Sequence, residues 1–312
     1  MRRTLLPVLL ALAACTSGGC GRIGFELVAR GDAGGSEATV PATDCWSAWI
    51  DGTLAFDTPV PLTELGAGAL VLDPSLADDD LTLYFSRETG NDHDVYVTTR
   101  ADRTQPWQAP RTVPELNSNA DDTRVSSTED GLLAVLSTRR PATDFELWLA
   151  TRSTRTEPFG PLDRAAFVNV SSLENEHDPE LTLDGLRLYV APGAVTVPQQ
   201  LAVTARASRE VPFGVPVTIP VPVATGEHVA DPSVSPDERV LLFARYAGTK
   251  RTLQYLTRPD RDASFGAPRA VPLTGPPSVD TGGELSRDGC ELIFQSERSG
   301  GGTLLHVTHV VR

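Results

Sequence analysis

An aromatic residue followed within three positions by proline recurs five times along this chain, at Phe56, Trp107, Phe159, Phe213 and Phe265. The copies are 51, 52, 54 and 52 residues apart. A period near fifty constrains the fold severely: each unit must be one supersecondary block that hides its apolar face only by stacking on the next. Aligning the units on the aromatic residue brings further elements into register. Each has an acidic turn followed by a short apolar run: Asp79-Asp80 before Leu81–Phe85, Asp130-Gly131 before Leu132–Leu136, Asp184-Gly185 before Leu186–Val190, Asp237-Glu238 before Arg239–Phe243, and Asp288-Gly289 before Cys290–Phe294. Asp-Gly between apolar runs is a strong hairpin signal, because glycine accepts positive φ without steric cost. The Asp80 and Glu238 copies lack that glycine and predict a different turn type.

Next in each unit comes a strand of period-two alternation ending in arginine, at Asp94–Arg100, Glu146–Arg152, Gln200–Arg206 and Leu253–Arg258; the fifth copy, Leu305–His309, lacks the arginine. The aromatic-Pro element supplies a fourth strand, with proline tolerated at a sheet edge. With 25 prolines and dense turns, no convincing apolar run at helical spacing follows the N-terminal segment. The reading is all-β: a five-bladed β-propeller of four-stranded antiparallel blades. The first aromatic-Pro strand, Phe56–Leu62, precedes any full unit, and the last unit has none after it. Phe56–Leu62 is therefore expected to complete the C-terminal blade and close the ring. Cys45 lies just before that strand and Cys290 within that blade, so a Cys45–Cys290 disulfide would lock the closure, as an exported compartment permits.

Export is read from the N-terminus. Arg2 and Arg3 precede an apolar run from Leu5 to Ala14, too short for the roughly 20 residues that span a bilayer. Leu12-Ala13-Ala14-Cys15 resembles a bacterial lipobox. Cys15 is the expected lipidation site, with Cys20 as the alternative, because lipidating Cys20 would leave Cys45 and Cys290 as one clean pair. Residues 1–20 are thus assigned to signal and lipobox, 21–43 to a Gly/Ala/Ser/Asp-rich tether, and 44–312 to one propeller. Formal charge is 27 − 41 = −14. No basic stripe exists to bind nucleic acid, and an acidic body would contact the membrane only through its lipid. The expected location is the cell envelope, as a monomer on the outer membrane.

The repeat Asp231-Pro-Ser-Val-Ser-Pro-Asp237 before Leu241–Phe243, echoed at Asp178-Pro-Glu-Leu and Asp73-Pro-Ser-Leu, resembles the TolB-like, WD-type repeats of bacterial propellers. The resemblance covers about residues 54 to 311. It departs from TolB in having five units rather than six and no recognisable extra N-terminal domain. It implies the fold and leaves the ligand open.

In such a ring the innermost strands line a channel. The position before the repeat's proline falls near their start, and down the five units it reads Asp73, Arg124, Asp178, Asp231 and Gly282. Three carboxylates and a guanidinium at one opening could bind a cation, a sugar or a peptide end, with His177, His228, Asp122, Glu176, Glu227 and Asp280 beside them. Sequence alone favours a non-catalytic propeller that binds an envelope protein or cell-wall glycan, with no cofactor, dedicated metal loop or catalytic residue assigned. The acidic stretches Asp78–Asp80 and Asn91–Asp94 lack the ligand spacing of a calcium loop and read as solvated turns. The alternatives are a glycan-active hydrolase using Asp178 and Asp231 as a carboxylate pair, and a structural envelope protein without a specific ligand.

Overall fold

The computed structural model describes residues 44–311, apart from 67–68, 141–143, 171–174, 194–198, 276–278 and 301. The signal, lipobox and tether assignments, with Cys15 and Cys20, lie outside the described residues. The rest is an all-β ring of five antiparallel sheets, named blades 1 to 5 in chain order. Their innermost strands are Val71–Leu76, Asp122–Ser127, Glu176–Leu181, Glu227–Val234 and Asp280–Leu285. Blades 1, 3 and 4 run outward in sequence order over four strands. Blade 2 keeps three strands, and its outermost element shrinks to a single bridge between Leu149 and Asp163.

Five apolar clusters fill the seams between neighbouring blades. Tyr84, Val95 and Val97 of blade 1 meet Val125, Ala134 and Leu136 of blade 2, and equivalent sets close the other seams. The alternation in each strand gives it two apolar faces, one for each neighbour, which is why a single blade could not stand alone.

Ring closure follows the expected route. Val60 and Pro61 pair antiparallel with Val307 and His306, so blade 5 takes its outer strand from the N-terminus. Cys45 and Cys290 form a disulfide with Cα atoms 5.1 Å apart. One short helix, Trp46–Asp51, precedes the closing strand, and periodicity over six residues is too short to reveal it. The described chain begins here, against the Asp288-Gly289 turn: the Cys45 amide donates to Asp288 O and the Trp46 indole donates to Arg287 O. Gly289, at φ +68°, is glycine for a second reason: a Cβ would stand 2.8 Å from the Trp46 ring.

The five acidic turns are all alike, which corrects the expectation of two types. Asp80 and Glu238 sit at φ +54° and +58°, in the left-handed region their glycine counterparts occupy. Their side chains offset the strain. Asp80 Oδ1 accepts the Arg287 amide, and Glu238 Oε2 accepts the buried Tyr189 hydroxyl. In every turn the preceding aspartate accepts the amide two residues on, as at Asp79, Asp130, Asp184, Asp237 and Asp288.

The recurring arginine explains the recurring aromatic. The guanidinium groups of Arg100, Arg152, Arg206 and Arg258 lie 4.3 to 4.4 Å from the ring centroids of Trp107, Phe159, Phe213 and Phe265. Each Nε donates to the carbonyl of the left-handed turn residue, Asp80, Gly131, Gly185 or Glu238. One side chain thus ties a blade's acidic turn to its outer strand.

Blade 5 replaces this clamp with His309, which faces Asp57 at 3.4 Å and Glu291 at 3.3 Å. Arg100 and Arg103 of blade 1 also reach Glu291. The hydrogen bond with Glu291 holds the His309 imidazolium and raises its pKa above the usual histidine value. A raised histidine contributes stability that is complete below its unfolded pKa of about 6.5 and is lost as pH rises through the higher folded value. Thermal melts from pH 6 to 8.5 should fall more steeply for the wild type than for His309→Gln. Parallel curves would show that the seam does not use this charge.

Candidate functional site

The repeat position is built by a β-bulge. Each innermost strand slips register against its neighbour at this point. The bulged residues are the five predicted ones, all with positive φ: Asp73 at 51°, Arg124 at 37°, Asp178 at 54°, Asp231 at 55° and Gly282 at 52°. A bulge re-aims a side chain that the alternating strand would have pointed into a seam. Aspartate tolerates this conformation better than most residues. The left-handed backbone still costs roughly 1 kcal/mol or more at each non-glycine position, and such strain concentrates at functional sites.

The re-aimed side chains converge. One oxygen from each of Asp73, Asp178 and Asp231 lies within 4.8 Å of the other two. Arg124 diverges from them and runs along the axis, where Nη2 donates to Pro232 O at 2.8 Å and approaches Glu284 at 3.5 Å and Glu180 at 3.9 Å. Gly282 contributes its amide, which donates to Asp231 Oδ2 at 3.0 Å. A Cβ on Gly282 would fall 2.6 Å from the Gln295 amide carbon, and the Gln295 carbonyl accepts the Asp73 amide.

The three aspartates share a repeat position but not an environment. Asp231 receives the Tyr246 hydroxyl at 2.8 Å together with the Gly282 amide on the same oxygen, while Asp178 accepts the Asp231 amide at 3.4 Å. Burial, reinforced by the charge on Asp231, pushes Asp73 up to about 6. The same two causes, with Asp73 added, push Asp178 well above the carboxylate range. Deeper in the channel, burial raises Glu180 to about 7 and Glu284 well above its ordinary value. A raised carboxyl group beside a hydrogen-bonded carboxyl acceptor is an arrangement that can divide acid from base.

His177 and His228 stand beside the trio rather than in it. His177 packs on Phe145 with ring centroids 4.4 Å apart, and His228 stacks on Tyr246 at 4.5 Å. Arg139 lies 4.5 Å from the phenyl centroid of the first pair and Arg251 5.3 Å from the tyrosine centroid of the second. Burial lowers both imidazoles, His177 to about 4, which favours their neutral forms and leaves aromatic surface to present. The flanking acids Asp122, Glu227 and Asp280 are each paired with an arginine, Arg140, Arg245 and Arg298, and so are engaged within the protein.

Sequence reading missed Tyr246, Phe145 and His93. Tyr246 stands opposite His228 in the strand register, a signal available only once pairing is known. His93 is bonded to Asp121 through both its ring Nδ1 and its amide. The acidic stretch Asp78–Asp80 lies at the other end of the channel. There Arg287 bonds to Asp78 and Glu129 beside a cavity of about 50 Å³ lined by Ser126, Glu180, Ser235, Glu284 and Ser286.

Architecture and bulge geometry define the class, a five-bladed β-propeller with a cluster of three carboxyl groups on its innermost strands. No family model and no curated protein matches the chain. Solved structures do. A thermostable family-43 glycoside hydrolase superposes with a TM-score of 0.59 at 14% identity, covering 82% of this chain and 96% of that one. An α-L-arabinofuranosidase from Podospora anserina, solved with cellotriose, gives 0.56 at 13%, covering 83% and 97%. TolB from Acinetobacter baumannii gives 0.46 at 12%, covering 78% and 55%. At these identities the likeness shows the fold.

Proposed function

We propose that the channel mouth is a glycan-active site and that its reaction is glycosidic hydrolysis. The observation that carries this reading is the division of labour in the trio. Asp231 accepts both the Tyr246 hydroxyl and the Gly282 amide, while burial and the neighbouring carboxylates raise the pKa of Asp178 close by. In this role Asp178 protonates the leaving oxygen and Asp231 supplies the carboxylate on the other side of the bond. Asp73 tunes the pair by its proximity. The Phe145–His177 and Tyr246–His228 pairs offer faces against which a sugar ring can lie. Two solved propellers of matching extent carry glycoside hydrolase activities in their names, which supports the reading by analogy of scaffold.

A non-catalytic lectin-like role is the second reading, favoured by the repeat-encoded origin of all three aspartates. One assay separates the two. Incubation with arabinan, xylan and peptidoglycan fragments should release reducing ends, and Asp178→Asn or Asp231→Asn should lower the rate on the order of 10²- to 10⁴-fold. Glycan binding that survives with no turnover in the wild type would leave the lectin reading standing. The chain is further proposed to act in the cell envelope, held by a lipid on Cys15 or Cys20.

A further inference from the structure

We propose that Arg124, paired directly with Glu284 and Glu180, is also the built-in counter-ion of the channel for Asp73, Asp178 and Asp231 above them, supplying from within the protein the positive charge that a bound metal ion would otherwise bring. The inference rests on the trio being the working part of the site, but it concerns the charge of the site and not its substrate.

Three like groups within 4.8 Å of one another in a buried channel must be relieved by protons or by a cation. Blade 2 supplies the cation at the one bulge where the repeat puts a basic residue. Arg124 is 1% exposed, and its guanidinium touches Pro232, Glu284 and Glu180. Those residues lie one or two positions beyond Asp231, Gly282 and Asp178 on their strands, so the positive group sits on the axis directly below the trio. It cannot deprotonate. Its charge acts on all three aspartates, opposing the upward push on Asp73 and Asp178. Its Nε and Nη1 find no acceptor among the described residues, which leaves donors for channel water between the guanidinium and its surroundings. Gly282 completes the design: with no side chain there, the Gln295 amide fills the space against Asp73.

A fixed cation below the trio repels a second one. Wild-type protein titrated calorimetrically with calcium chloride or manganese chloride should show no binding below millimolar concentration. Arg124→Met and Arg124→Gln should gain binding of at least tenfold higher affinity; the glutamine keeps a donor for Pro232 O without the charge. In parallel, carboxyl carbon NMR of metal-free protein should place the Asp73 midpoint near 6 in the wild type and clearly higher in both variants. Arg124→Lys should stay close to the wild type in both measurements. Submillimolar calcium binding by the wild type would overturn the proposal, as would folded variants with an unmoved Asp73 midpoint and no gain in cation affinity. Neither measurement uses a glycan, so a protein that hydrolyses nothing can still pass, and an active one can still fail.

Discussion

Replacing Cys45 and Cys290 together with serine is expected to lower the melting temperature by roughly 10 °C or more, the largest effect anticipated outside the channel. The bridge joins positions 245 residues apart, nearly the full described ring. Cross-linking so long a loop restricts the unfolded chain by about 5.5 kcal/mol in the chain-entropy account, and a protein of this size shifts roughly 2–4 °C per kcal/mol. What remains at the seam includes the pairing of Val60 and Pro61, the Phe56–Val310 bridge, the Leu62 amide on Leu305 O, the Asp57 amide on His309 O, the Val311 amide on Ala55 O and the Thr308 hydroxyl on Asp57. The loss should therefore appear first as opening of blade 5. Amide exchange in Leu304–His309 should accelerate well before the strands of blade 3 respond. A variant that melts like the wild type would show that the helix Trp46–Asp51 holds the closure without its covalent link.

Trp49→Ala is expected to cost about 3–5 kcal/mol, the range for emptying a large buried aromatic site. The side chain is fully buried and meets Phe56 and Tyr255 edge-on at 5.8 and 5.2 Å. Its indole donates to Gly289 O at 2.9 Å. One residue thus joins the N-terminal helix, the closing strand, blade 4 and the acidic turn of blade 5. Trp49→Phe should recover much of the packing while leaving the Gly289 carbonyl without that donor. Because Trp49 and Cys45 secure the same helix, their losses should not add, and a double-mutant cycle by chemical denaturation measures the coupling directly. Strict additivity would mean that the two anchors act on separate parts of the seam.

Much of this was legible in the sequence because a repeat fixes position. The blade count, the closing strand, the cysteine pair and the five channel positions all follow from register alone. Direction is what register withholds. Arg124 shares a bulge with the aspartates, yet its longer side chain passes below them to Pro232 and the glutamates. The arginine–aromatic clamps were visible as two separate recurrences and became one contact only when the strands paired. Asp80 and Glu238 look like poor substitutes for glycine until the bonds that hold them in the left-handed region are seen. Tyr246 carries no repeat signature at all, and its part in holding Asp231 comes from cross-strand pairing.

The described chain enters the ring beside the Asp288-Gly289 turn, where the innermost strands end, whereas the aspartate trio lies near where they begin. The first described residues and the three aspartates therefore stand toward opposite ends of the innermost strands, so a bulky label coupled at Asp44 would leave the aspartate end of the ring uncovered.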